Sequence, residues 1–200
     1  MVGIICPSRF EYDVLRRDRL SRRRAELVLS GMGKLRTLHA CHALKQKHKS
    51  LRWILLVGFA GGLTPSLKIG DVIEPDVFIE QDYFAEPFEK FPNRIAKKGG
   101  GAKLLGKSLT ALMLTQDRFL TENPYRNSPY ARRFQRIACD MESYAVAYFC
   151  KMAKLNYSVV KLISDSADEK ADKDFLKSCR RLSPKLNRIA LQAVDRIGEI

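Results

Sequence analysis

Residues 51–80 read LRWILLVGFAGGLTPSLKIGDVIEPDVFIE, and the way this stretch divides decides the kind of fold the chain makes. The apolar run from Trp53 to Val57 is too uniform for a half-exposed strand and too short for a helix of ordinary length. It reads as a strand buried on both faces. Gly58, Gly61 and Gly62 then mark a turn from strand into loop, and the apolar stretch from Val72 onward reads as a further strand. The same plan recurs on either side. MVGIIC (1–6), closed by Pro7, is a first buried strand. AELVLSGMGK (25–34) is an apolar run ending in small residues, and LRTLHACHALKQKH (35–48) carries Leu35, Leu38, Cys41 and Leu44 at helical spacing.

Downstream, SLTALMLTQDRFL (108–120) resumes a strand, and MESYAVAYFCKMAKL (141–155) is a helix with Met141, Ala145, Phe149 and Met152 on one stripe. YSVVKLISDSADEK (157–170) is a strand handed over to a polar loop, and 174–200 is mostly helix, with Pro184 near a helix start. The middle, 81–108, is rich in proline, glycine and charge, and AKKGGGAK (96–103) reads as a surface loop. Strands alternating with helices in this way predict an α/β sheet. Its functional residues should lie beyond the carboxyl ends of the strands.

A chain of 200 residues with 46% apolar content is enough for one sizeable core, so residues 1–200 are read as a single domain. No run approaches the roughly 20 apolar residues of a membrane span, and the N-terminus lacks the basic start of a signal peptide, so a cytoplasmic protein is expected. Cys6, Cys41, Cys139, Cys150 and Cys179 show neither paired nor zinc-ligand spacing. His39 and His42 share a helix face at i, i+3 but have no third ligand beside them, so neither metal nor cofactor is expected. The net charge is +14, and RRDRLSRRR (16–24) concentrates it. Two readings of the run from Arg16 to Arg24 stay open: a solvated charged surface, or a contact for nucleic acid or another anionic partner.

Two acidic elements stand out at strand and helix ends. CDMESYAVA (139–147) puts Asp140 and Glu142 at a helix start, where dipole and capping favour acids, and LISDSADEK (162–170) puts Asp165 and Asp168 after a strand. The order GxAGGLxxxLxxGD, then DMES opening an alanine-rich helix, then ISDxAD closing a strand resembles the nucleoside phosphorylase and nucleosidase superfamily. It is most similar to the 5'-methylthioadenosine/S-adenosylhomocysteine nucleosidase branch, over nearly the whole chain. The resemblance implies a phosphorylase/hydrolase-like three-layer αβα fold with a central mixed, twisted sheet, and it implies a homo-oligomer, a dimer.

It also implies roles. Breaking an N-glycosidic bond leaves an oxocarbenium-like ribosyl group, so a leaving base must be neutralised and a cation stabilised. Asp165, in the ISD position, would donate to purine N7, with Ser164 holding it in place. Glu142 would accept from the ribose hydroxyls, and Met141 would pack under the sugar. Ala60 and Gly61 would line the ligand, and Phe119 would lie against the base. Glu11 matches the glutamate that activates water in the nucleosidases, with Asp13 as the fallback, whereas Asp168 is read as a cap. The implied activity is hydrolysis of a 5'-modified purine nucleoside such as methylthioadenosine, adenosylhomocysteine or an adenosyl adduct of a lipid.

The chain departs from the pattern at Phe59, where the family usually carries Ser or Thr, and in the short stretch between the first strand and LVLSGMGK. Two alternatives therefore remain beside the nucleosidase: a phosphate-dependent purine nucleoside phosphorylase, and a catalytically degenerate member that binds nucleic acid or another anion.

Overall fold

The computed structural model describes residues 1–15, 17–83, 94–96, 103–123 and 129–200. Strand β1 (Val2–Cys6) lies between β2 (Ala25–Leu29) and β3 (Trp53–Gly62), parallel to both. β3 is in turn parallel to β9 (Asn156–Asp165) along most of its length, and its last two residues pair antiparallel with β8 (Ile137–Asp140). The sheet continues through β7 (Leu112–Thr115) and β5 (Val77–Glu80), both joined in parallel, to β6 (Arg94–Ala96), which is antiparallel at the edge. The short β4 (Val72–Ile73) pairs antiparallel with β9. The sheet is therefore mixed, as the resemblance implies.

Helices cover both faces. On one side lie α1 (Arg9–Val14), α2 (Arg17–Ser21) and the long α6 (Ala171–Gly198), over a core that includes Ile4, Leu55, Val57, Val160, Leu186 and Ile189. On the other, α3 (Lys34–Lys47) and α5 (Ser143–Ala153) pack on Ile5, Ile54, Leu56, Val159 and Ile163. The two sets interleave along β3 and β9, as the two-residue period of a strand requires. A short α4 (Pro129–Arg133) precedes β8. The brief connection between β1 and β2 is made by α1 and α2.

Several expectations are corrected. The three glycines of 58–62 do not leave the sheet: β3 runs through to Gly62, because neighbouring side chains occupy the space their own would need. Pro184 lies inside α6 rather than near its start. The helix passes through it because the buried positions Cys179, Leu186, Ile189 and Ala190 lie on both sides and hold one continuous face against the sheet. Residues 94–96 form a strand within the stretch read as loop, whereas 97–102 of the glycine-rich segment lie outside the described residues. Leu35 is 78% exposed, so the buried face of α3 is Thr37, Ala40, Cys41 and Leu44. Met152, placed on the core stripe of α5, is 66% exposed.

Candidate active site

The carboxyl ends of β1, β3, β7, β8 and β9 converge on one cavity of about 400 Å³, closed on one side by the first turns of α6. This is where an α/β sheet presents ligand-binding groups, and the volume suits a small molecule. Asp165, the last residue of β9, is 3% exposed. β9 slips register against β3 here: Ala60 pairs with Ile163 but Gly61 with Asp165, which leaves Ser164 as an extra residue. The slip brings Ser164 Oγ to 2.6 Å from Asp165 Oδ2 and 3.2 Å from Ala60 O. Asp165 Oδ1 accepts from the Ala167 amide at 2.9 Å. Burial pushes the Asp165 carboxyl above its usual range, against these hydrogen bonds from Ser164 and Ala167 and with help from Asp168 and Asp174. A hydroxyl has one hydrogen and Ser164 faces two acceptors. Its hydroxyl donates to Asp165 Oδ2, with Ala60 O as the more distant alternative acceptor.

The opposite side is built on β8 and the start of α5. Glu142, 4% exposed, occupies the N-cap position of α5 without capping it. Asp140 accepts from the Ser143 amide and from Thr115 Oγ1 instead, so the capping reading holds for Asp140 and not for Glu142. Glu142 Oε1 accepts from the Gly33 amide at 3.0 Å, which is presented by a backbone at φ 101°, a conformation open to glycine. Glu142 Oε2 faces Lys161 Nζ at 3.5 Å. Lys161 is completely buried on the α3–α5 face of β9, and its ammonium lies 3.0 Å from Asp140 Oδ2. Burial alone would lower the lysine, but Asp140, Glu142 and Glu11 outweigh it and hold it above the usual lysine value. Burial also pushes Glu142 up, opposed by Lys161 and by the Gly33 amide and reinforced by Asp140 and Glu11, to about 7.

Glu11 completes this cluster from the other helical layer. Ser8 caps α1 in a reciprocal box: the Glu11 amide donates to Ser8 Oγ, while the Ser8 amide donates to Glu11 Oε2 at 2.7 Å. The remaining oxygen accepts from the Phe59 amide at 2.8 Å. The carboxylate thus lies directly over Gly58, where an added Cβ would stand 2.3 Å from Glu11 Oε1. With Glu11, Asp140 and Glu142 ionised, Lys161 leaves the cluster with an excess of negative charge.

The rest of the wall is apolar. Phe59 meets Phe175 edge to face at 6.0 Å, and Phe175 meets Phe119 in the same way at 5.8 Å. This aromatic row leads from the buried end of the cavity to the mouth, where Phe119 is 42% exposed. Met32, Met141 and Leu176 also line the space.

All the expected site residues, Glu11, Ala60, Gly61, Phe119, Met141, Glu142, Ser164 and Asp165, line this one cavity. Asp13 does not: it is exposed and pairs with Arg9 at 3.4 Å. Asp168 accepts from the Lys170 amide in the loop before α6, as a capping residue would. The reading of the sequence missed Lys161, although a lone cation in the apolar run YSVVKLI is a signal, since lysine is almost never fully buried unless paired. It also missed Phe175 and Leu176, which nothing in a helical pattern distinguishes from core. Among the described residues no cluster suited to a metal ion occurs, and His48 instead pairs with Glu26.

Comparison with known proteins identifies the family and the fold. A 5'-methylthioadenosine/S-adenosylhomocysteine nucleosidase of Buchnera aphidicola is 30% identical over 165 residues, which is 74% of this chain but 65% of that protein, so the chain spans just under two-thirds of this relative's length. An aminodeoxyfutalosine nucleosidase of Campylobacter jejuni is 29% identical over 167 residues, 75% of this chain and 72% of that one. A solved 5'-methylthioadenosine/S-adenosylhomocysteine nucleosidase of Helicobacter pylori superposes with a TM-score of 0.82 at 19% identity, covering 97% of each chain. The sequence model of the Phosphorylase superfamily matches residues 13–195, and with nearly the whole chain inside that match the protein belongs to the phosphorylase superfamily.

Proposed function

We propose that the protein is a nucleosidase that hydrolyses the N-glycosidic bond of a 5'-modified, adenosine-type nucleoside. The observation that carries this is the pairing, across one cavity, of an acid that burial disposes to keep its proton, Asp165, with an acidic cluster organised around Lys161. As the C1'–N9 bond breaks, its electron pair passes to the purine, and Asp165 delivers a proton to N7. Ionised Glu142 accepts hydrogen bonds from the ribose hydroxyls and stabilises positive charge on the ring. Water adds to C1' and gives its proton to Glu11, whose carboxylate is fixed by Ser8 and by the Phe59 amide. The apolar row of Phe59, Phe175 and Phe119 supports a substrate with an uncharged base and an apolar 5' group.

Water rather than phosphate is the nucleophile in this reading. Lys161 is already engaged by carboxylates, and a phosphate dianion entering beside Glu11 and Glu142 would meet net negative charge. The test is base release, followed by chromatography, from adenosine, inosine, methylthioadenosine and adenosylhomocysteine with and without phosphate. Release from methylthioadenosine, whose 5' group is apolar, in phosphate-free buffer is expected. A strict requirement for phosphate would make the enzyme a phosphorylase, and silence across the panel would remove the reading. The assembly is read as a homodimer, supported by the exposed Leu35, Tyr148 and Met152 on the paired helices α3 and α5 and checked by light scattering of the eluted protein.

A further inference from the structure

We propose that the outer face of α6, together with the adjoining rim of the cavity, is a docking surface for an anionic lipid membrane. Lys173, Lys177, Arg180, Arg181 and Arg188 are all exposed, and on a helical projection they fall within an arc of about 100°, spread over about 22 Å of helix. That arc lies opposite the buried face of Cys179, Leu186, Ile189 and Ala193. None of the five forms an ion pair with a described residue. Three other cations of the same layer are engaged: Arg23 by Asp195, Arg9 by Asp13 and Arg196 by Glu199. The acids that α6 carries near this stripe, Asp172 and Asp174, sit in its first turn, and Asp172 lines the cavity.

Charge alone fits any polyanion, and the apolar rim selects among them. Leu176 is 50% exposed and lines the cavity mouth, and its neighbours on the helix surface are Lys173 and Arg180. Phe10, on α1, which packs against α6, is 56% exposed. Cationic side chains bordered by exposed apolar ones match the phosphate and acyl boundary of a bilayer. The stripe itself presents no aromatic side chain on which bases could stack, which single-stranded nucleic acid would use. The mouth of the cavity would then open beside the lipid surface. This inference stands apart from the catalytic reading.

The experiment is co-sedimentation of the full chain with vesicles of phosphatidylcholine alone, or with about one-third phosphatidylglycerol, at low and high salt. Binding is expected to the anionic vesicles only, weakening as salt rises. The triple variant K177E/R180E/R181E is expected to lower the partition coefficient at least about tenfold. Phe10→Ser is expected to lower it further at high salt, where the apolar contact dominates. Melting temperature serves as the check that each variant is folded, and if the triple variant is not, the salt series and Phe10→Ser decide. Equal binding to neutral vesicles, an unchanged partition coefficient in the folded triple variant, or an unchanged one in Phe10→Ser would overturn the proposal. So would a nucleic-acid duplex held more tightly than the vesicles and lost in the triple variant, which would assign the stripe to nucleic acid.

Discussion

Replacing Lys161 by methionine removes the cation buried beneath the cavity while keeping most of the side chain's volume. Its ammonium lies 3.5 Å from Glu142 Oε2, and at an effective dielectric constant of about 20 a pair of unit charges at that separation is worth about 5 kcal/mol. Losing that attraction raises the Glu142 pKa well above its present value, since about 1.4 kcal/mol corresponds to a tenfold change in protonation. Glu142 already sits at about 7. In the variant it therefore holds its proton at about pH 7.5 in nearly every molecule and cannot stabilise a ribosyl cation. We expect kcat/KM for base release at that pH to fall by roughly 10² to 10³, with the acidic limb of the profile displaced upward. Stability should fall by about 3 kcal/mol, because carboxylates are left buried without their cation. Adding Glu142→Gln should return part of that loss. The assays are kcat/KM across pH and urea denaturation of both single variants and the double. A folded K161M enzyme whose acidic limb has not moved would refute the reasoning. So would K161M and E142Q effects on stability that add within about 0.5 kcal/mol, the behaviour of independent sites.

Asp165→Asn keeps an oxygen for the Ala167 amide but has no acidic proton to transfer, so turnover should fall by about 10² to 10⁴ with a urea midpoint no lower than the native one; loss of both would mean a structural role. Gly58→Ala places a Cβ where Glu11 Oε1 now lies, and kcat should drop by at least about tenfold while far-UV circular dichroism stays native. In the unaltered enzyme kcat/KM should decline below about pH 7 as Glu142 takes up a proton, whereas protonation of Asp165 favours activity. The same carboxyl affects stability. Its folded pKa of about 7 exceeds the ordinary 4.5, so stability is greatest below 4.5 and declines as pH rises through 7, by about 3 kcal/mol. Glu142→Gln should therefore gain stability over the native protein at about pH 8 and show no gain at about pH 4, as read from urea midpoints at the two pH values.

What could be read from the sequence, and what could not, follows from how each feature is encoded. Asp165 and Glu142 were legible through the ordered motifs ISDxAD and DMES, since capping would account for either acidic element alone, and the order of the strands located them on one edge of the sheet. Lys161 was passed over because the lone charge in YSVVKLI signals burial with a partner but does not say which partner. Its partners Asp140, Glu142 and Glu11 come from distant segments that only the folded sheet assembles. The glycines of 58–62 were placed in a loop because glycine usually interrupts strands. Here the space above Gly58 is filled by Glu11, a crowding that no local window contains. Pro184 was misplaced for the opposite reason, since a local rule was overridden by the long apolar face of α6. Phe175 and Leu176 repeat with helical spacing like any core residue, and their role at the cavity emerges only from where α6 begins.

The slip between β3 and β9 sets the regularity of the sheet against the chemistry at its edge. In an unbroken ladder Ser164 and Asp165 would point to opposite faces, one toward each helical layer, and their side chains could not meet. The extra residue shifts the phase of the strand by half a period just before it ends. Deleting Ser164 would restore an even ladder beyond Ile163 and carry Asp165 into the position Ser164 now holds, with no hydroxyl beside it. Selection for a more regular, more heat-resistant sheet would push the chain toward that deletion, and selection for turnover would push against it.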